Sequence, residues 1–228
     1  MIKTVFLDLD DTILDFHKAE ALSIKGTLEA FGLPSDEKTV SRYSEINKTC
    51  WERLERGEYT REEVLLNRFK FLFEELGIDT EPIRAKAEYE GRLSNSAYFV
   101  DGAIDLLEGL QGKYDLYITS NGTKRVQEGR LKKSGIKKYF KDIFISEDIG
   151  KNKPDKAFFD FVFSKIEGFE KDTAIIVGDS LSSDIKGGLN AGILTCYYNP
   201  KGRTNESDIK PHYEIKKLSE LYQILENI

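Results

Sequence analysis

The sequence predicts an α/β fold: a doubly wound parallel sheet, interrupted after its first strand by a separate all-helical insertion. Three observations predict it. From Leu116 onward short apolar runs alternate with helical stretches, the pattern of parallel strands joined by crossover helices. The first apolar run, Ile2 to Leu7, ends in Asp8 and Asp10, two carboxylates at the strand edge where open α/β sheets bind ligands. Residues from about 15 to 96 carry helical periodicity without a strand pattern, too much chain for one crossover helix.

Taken in order, strand-like runs fall at Thr4–Leu7, Leu116–Thr119, Ile143–Ile145, Ala174–Val177 and Leu194–Tyr198. Near-continuous apolar runs suit strands buried on both faces. In the insertion, Val40, Tyr43, Ile46, Cys50 and Leu54 recur at helical spacing. Thr60-Arg61-Glu62-Glu63 is a capping-box pattern, opening a helix that carries Leu65, Leu66, Phe69, Leu72, Phe73 and Leu76. Gly77 is placed to end that helix. Gly32 to Ser35 and Gly77 to Pro82 divide the insertion into about four helices. Beyond Gly202 the tail is polar and closes in a short helix with Leu218, Leu221 and Leu225 at helical spacing. The expected division is 1–14 with 97–228 as one domain and 15–96 as the other.

With 228 residues the chain can form one large domain or a core with a smaller insertion. A net charge of -6 argues against a general nucleic-acid binder. The short basic cluster Lys132-Lys133 with Lys137-Lys138 reads as a solvated face. No apolar stretch approaches the roughly 20 residues that cross a bilayer. The N-terminus enters the first strand almost at once, unlike a removable signal peptide. Cys50 and Cys196 lie far apart with no Cys-x-x-Cys spacing, as expected of reduced thiols in a cytoplasmic protein.

Asp8 and Asp10 are costly to desolvate unless a cation or a proton compensates them. Further along come Ser120-Asn121-Gly122 after the second strand, Lys153-Pro154-Asp155, and Gly178-Asp179-Ser180 after Ile175-Ile176-Val177, with Asp184 five residues past Asp179. With these motifs the sequence resembles the haloacid dehalogenase-like phosphohydrolase superfamily. That pattern is Asp-x-Asp-x-Thr, then Ser/Thr, then Lys, then Gly-Asp followed by a second Asp. All the elements occur in order between Asp8 and Asp184. Leu14-Asp15-Phe16, Ile118-Thr119-Ser120-Asn121-Gly122 and Ser146-Glu147-Asp148-Ile149-Gly150 are similar to the bacterial pyrimidine 5′-nucleotidase branch.

The resemblance implies a Rossmann-like sheet of order 5-4-1-2-3. In that order strands 1 and 4 are neighbours at the topological switch point, so Asp8, Asp10 and Asp179 converge. It implies that the helical insertion is a cap that excludes water and selects the leaving group. It implies Mg²⁺, held by the Asp8 side chain, the Asp10 backbone carbonyl and Asp179. Asp8 would be the nucleophile, passing through an aspartyl-phosphate. Asp10 resembles the family's general acid and base, and strand alternation puts it on the same side as Asp8. Asp11 falls off that face and is expected to be structural. Ser120 and the backbone amide of Asn121 resemble the phosphate donors. Lys153, marked out from Lys151 by Pro154, would neutralise the transferring group, and Asp184 would hold Lys153 or a metal-bound water. Gly187 and Gly188 would permit close helix–sheet contact. His17 is expected to be an exposed linker residue and Trp51 a core residue.

The expected function is Mg²⁺-dependent hydrolysis of a small phosphate monoester, with nucleoside 5′-monophosphates, pyrimidine ones first, as substrates. No nucleic-acid or membrane partner is expected. A phosphatase or phosphomutase acting on sugar phosphates is the alternative. A haloacid dehalogenase fits less well, because it needs neither Mg²⁺ nor an acid at the second carboxylate position. A non-enzymatic phosphoacceptor module fits less well too, because it has no use for an insertion of some eighty residues.

Overall fold

The computed structural model describes residues 1–228. Six strands form one parallel sheet of order β3-β2-β1-β4-β5-β6. They are β1 (Thr4–Leu7), β2 (Asp115–Ser120), β3 (Asp142–Ile145), β4 (Ala174–Gly178), β5 (Leu194–Tyr198) and β6 (Tyr213–Ile215). Strands 1 to 5 take the expected order, and β6 extends the sheet beyond β5. In the sequence alone this segment belongs to the polar tail beyond Gly202. Three residues with a solvent-facing Glu214 in the middle carry too little periodicity to register as a strand.

By proximity the chain forms two compact units: residues 1–15, 98–124 and 134–228, and residues 16–97 with 125–133. The first contains the sheet. Val5, Phe6 and Leu7 of β1 are fully buried. Phe6 packs with Phe158, Phe159 and Phe163 in one apolar cluster on a face of the sheet, each such side chain contributing about 1.5–3 kcal/mol. These three phenylalanines come from α8 (Lys156–Ser164). α9 (Lys186–Ala191) lies close to the sheet at Gly188, where a Cβ would approach Ile176 Cγ2 to 2.5 Å; Gly187, expected to meet the sheet too, faces α8 instead, where a Cβ would approach the Phe159 ring to 2.6 Å. The remaining helices of this unit are α5 (Ala103–Leu110), the single turn α7 (Ser146–Ile149) and the C-terminal α10 (Leu221–Asn227).

The chain leaves and re-enters the sheet unit through one small zipper. Asp15 N–H donates to Tyr98 O at 2.9 Å, and Val100 N–H donates to Ile13 O at 3.1 Å.

The second unit is helical: α1 (Phe16–Ala30), α2 (Glu37–Glu55), α3 (Arg61–Leu76) and α4 (Pro82–Ser94). α3 opens with the predicted capping box between Thr60 and Glu63 and ends at Gly77, in the left-handed region at φ 65°. Tyr43, Phe69 and Tyr89 form its aromatic centre, with ring centroids 5.2–5.6 Å apart. A polar chain runs through this interior: buried Arg68 donates to Asn47 Oδ1 at 3.1 Å, and Asn47 donates to Glu20 Oε1 at 2.6 Å. Residues 125–133, most of α6 (Lys124–Ser134), group with these helices; the sequence reading placed them with the sheet. α6 approaches these helices closely: a Cβ on Gly129 would meet Ser94 O at 2.6 Å, and the Arg130 guanidinium lies 5.7 Å from the Phe16 ring centre. His17 is exposed in the first turn of α1. Trp51 is half-buried, with the Arg61 guanidinium 5.6 Å from its ring centre.

Candidate active site

Parallel strands β1, β2 and β4 end side by side, and each is followed by a loop that carries one of the motifs. After Leu7 the backbone makes a tight turn, with Ile13 N–H and Leu14 N–H both donating to Leu9 O. Asp11 sits in the left-handed region at φ 57°, a conformation that aspartate tolerates better than most residues. Its amide donates to Leu14 O at 2.8 Å. Asp11 thus shapes the turn that follows Asp10.

Lys153 organises the charges. It lies between α7 and α8, with a cis peptide to Pro154, and is 1% exposed. Its Nζ donates to Asp8 Oδ1 at 2.7 Å, to Asp184 Oδ1 at 2.6 Å and to Thr119 O at 2.7 Å. An ammonium has three donors, and all three are used. Burial pulls the Lys153 pKa down, but Asp184 and Asp8 outweigh burial and leave it above its ordinary value. Lys153 is therefore a fixed positive charge. Breaking such a buried pair by removing one partner typically costs about 3–5 kcal/mol.

One cation does not balance this site. Asp8, Asp179 and Asp184 each place an oxygen within 4.8 Å of the others. Burial holds the Asp8 carboxyl well above the ordinary aspartate range; Lys153 opposes the shift, and Asp184 and Asp10 reinforce it. Burial raises Asp179 in the same way, with Asp8, Asp184, Asp11 and Asp10 adding to it. Excess negative charge at an all-oxygen donor set is an environment that fits a hard divalent cation such as Mg²⁺. The Asp10 carboxylate is not one of these three; the sequence expectation for Asp10 concerned its backbone carbonyl. Asp184 is already engaged twice, on Lys153 through Oδ1 and on Ser180 N–H through Oδ2 at 3.1 Å.

The second-strand motif closes the site. Ser120 is buried at the end of β2, and its Oγ accepts Gly122 N–H at 3.1 Å. Glu147 Oε2 accepts the amide of Lys124, the first residue of α6, at 2.5 Å. The Asn121 side chain reaches the Lys153 main chain. The sequence singled out Ser120, Asn121, Lys153 and Asp184 for their own chemistry. It gave no role to the Thr119 carbonyl, to the Asn121 side chain or to Ser183. A backbone carbonyl leaves no trace in residue type, and the partner of Asn121 lies 32 positions away.

A buried lysine bridging two of the aspartates at the ends of parallel strands defines a class, and comparison with known proteins gives the same class. The family model for haloacid dehalogenase-like hydrolases matches residues 5–197. This chain belongs to that family. It is 43% identical to the HAD-hydrolase YfnB of Bacillus subtilis strain 168, over 98% of this chain and 95% of that one. It is 36% identical to the pyrimidine 5′-nucleotidase PynA of Streptococcus pneumoniae and 29% identical to the pyrimidine 5′-nucleotidase YjjG of Escherichia coli, again over nearly the full length of each. A crystal structure of YfnB bound to magnesium superposes with a TM-score of 0.94, covering 100% of this chain and 99% of that one.

Proposed function

We propose that this hydrolase is an Mg²⁺-dependent phosphomonoesterase acting on nucleoside 5′-monophosphates, with pyrimidine nucleotides preferred. The observation that carries the chemistry is the Lys153 ammonium bonded to both Asp8 and Asp184 beside Asp179. The substrate class rests on two relatives named as pyrimidine 5′-nucleotidases.

In this reading Asp8 attacks phosphorus, forming an acyl-phosphate as the ester P–O bond breaks. Asp10 gives its proton to the leaving alkoxide, a poor leaving group, and then takes a proton from the water that attacks the acyl-phosphate. Inorganic phosphate leaves and both aspartates return to their starting states. Lys153 neutralises charge on the transferring group from a fixed position, and Ser120 and the Asn121 amide bind its oxygens. Asp8, Asp179 and the Asp10 carbonyl would hold Mg²⁺, which supplies Lewis-acid stabilisation of phosphoryl oxygens when bound.

Phosphate release from a panel of ribo- and deoxyribonucleotides, sugar phosphates and an aryl ester, with Mg²⁺ and with EDTA, tests the proposal. The expected result is Mg²⁺-dependent turnover with pyrimidine monophosphates ahead by about tenfold, a difference of about 1.4 kcal/mol in transition-state binding. Turnover of sugar phosphates alone would keep the phosphatase chemistry and remove the nucleotide assignment.

A further inference from the structure

We infer that the side chain of Asn121 is a positioning residue that sets where the Lys153 ammonium stands. This role is separate from the phosphate contact proposed for its backbone amide. Asn121 Nδ2 donates to Lys153 O at 2.9 Å, and Lys153 N–H donates to Asn121 Oδ1 at 2.9 Å. One side-chain amide thus takes up both hydrogen-bonding groups of the Lys153 main chain. Only one orientation of the amide satisfies both bonds, because the carbonyl needs a donor and the N–H needs an acceptor.

The same Nδ2 donates to Ser183 Oγ at 3.1 Å. Ser183 immediately precedes Asp184, the carboxylate that grips Lys153 Nζ at 2.6 Å. Asn121 therefore anchors both ends of the lysine: its backbone directly, and its ammonium through the turn carrying Asp184. It also joins the loop after β2 to those before α8 and after β4. Ser183 N–H in turn donates to Ser180 Oγ at 3.2 Å, so the turn itself is braced.

Position matters because lysine is a point charge on a flexible four-carbon stem. A misplacement of about 1 Å by a residue away from the chemistry can cost roughly 10²-fold in rate. Asn121→Ala keeps the backbone amide and removes the side-chain clamp.

The kinetic test rests on the phosphomonoesterase reading; the structural test does not. With an aryl phosphate ester, Asn121→Ala should lower kcat about 10- to 100-fold while KM stays within about threefold. In a Lys153→Arg background the same change should cost less than about twofold, since two residues acting as a unit are not additive. A rise in KM at unchanged kcat, or a full multiplicative loss in the Lys153→Arg background, would overturn the inference. A crystal structure of Asn121→Ala should show Lys153 Nζ displaced from Asp8 or Asp184. Retention of the 2.7 and 2.6 Å contacts would also overturn it. If the unmutated protein hydrolyses no ester in the panel, the proposed function fails and the crystal structure alone decides the clamp. If the alanine variant does not fold, Asn121→Asp carries the same measurements, keeping the acceptor for Lys153 N–H and losing the donor to its carbonyl.

Discussion

A single lysine, satisfied by three oxygens, sets the chemistry available to its neighbours. Asp8→Asn removes the proposed nucleophile, and turnover should fall below detection; near-normal kcat in that variant would exclude Asp8 from the covalent step. Asp10→Asn should slow phosphoryl transfer from an alkyl ester more than from an aryl ester, whose leaving group needs less proton assistance. Single-turnover kinetics on both esters checks this, and equal slowing would count against Asp10 as the acid. Gly178 is constrained by the same cluster. A Cβ there would lie 2.2 Å from Asp184 Oδ2 and 2.6 Å from Asp184 Cβ. Gly178→Ala should therefore displace Asp184 from Lys153, costing about 1–3 kcal/mol of stability by overpacking and lowering kcat; denaturant melts and kinetics on the purified variant read both. Asp8, Asp10 and Asp179 stood out in the sequence because each comes just after an apolar strand, and Lys153 because Pro154 follows it. Their bonding pattern was not: Lys153 and Asp8 are 145 positions apart, and no local signal says which oxygens fill the remaining donors.

Elements declare themselves where the signal is local. The capping box at Thr60 and Glu63 involves residues three apart, and α3 begins where they predict. β6 is the opposite case, specified by pairing with β5 rather than by its own three residues. Between elements, the polar chain through the helices yields a pH prediction. Burial raises the Glu20 carboxyl above its ordinary value, outweighing the lowering influence of Ser44, Asn47, His17 and Arg68. A raised carboxyl means that the folded state holds its proton longer than the unfolded state does. Stability is then unaffected below the ordinary glutamate range and declines as pH rises from that range through the raised folded value. Glu20→Gln keeps an acceptor for Asn47 and removes the ionisation. Its Tm should exceed that of the unmutated protein at neutral pH, with the difference closing toward pH 4; thermal melts across that range check it.

At the scale of the whole molecule, the alternation of apolar runs and helical stretches was enough for the fold class, while the order of five of the six strands came from the family resemblance that the motifs carry. The grouping of residues 125–133 with the helical unit was not legible, because it rests on contacts distant in sequence, such as Gly129 with Ser94 and Arg130 with Phe16. No helix is long and apolar enough to cross a membrane. If Asp8 and Asp179 hold Mg²⁺ as proposed, the folded protein should bind the cation better than the unfolded chain does, because folding brings the Asp8, Asp179 and Asp184 oxygens within 4.8 Å of one another. Mg²⁺ at a hundred times its dissociation constant should add about 2.7 kcal/mol of stability, with each kcal/mol worth about 2–4 °C in Tm for a chain of this size. Calorimetry with Mg²⁺ and with EDTA measures the shift, and Asp179→Asn should abolish most of it.

The place of β1 in the sheet has a consequence for how the chain reaches this state during synthesis. β1 is the first strand made, yet it pairs with β2, which begins at Asp115, and with β4, which begins at Ala174. Its fully buried Val5, Phe6 and Leu7 must wait for more than a hundred residues before a first neighbour exists, and for β4 before both edges are covered. Such non-local pairing is slow, and it leaves unpaired strand edges open to association. The helices between Phe16 and Ser94 are completed much earlier and pack chiefly with one another. A ribosome-bound chain halted before residue 174 should therefore leave open the β1 edge that β4 covers in the folded protein, with Asp179 not yet made.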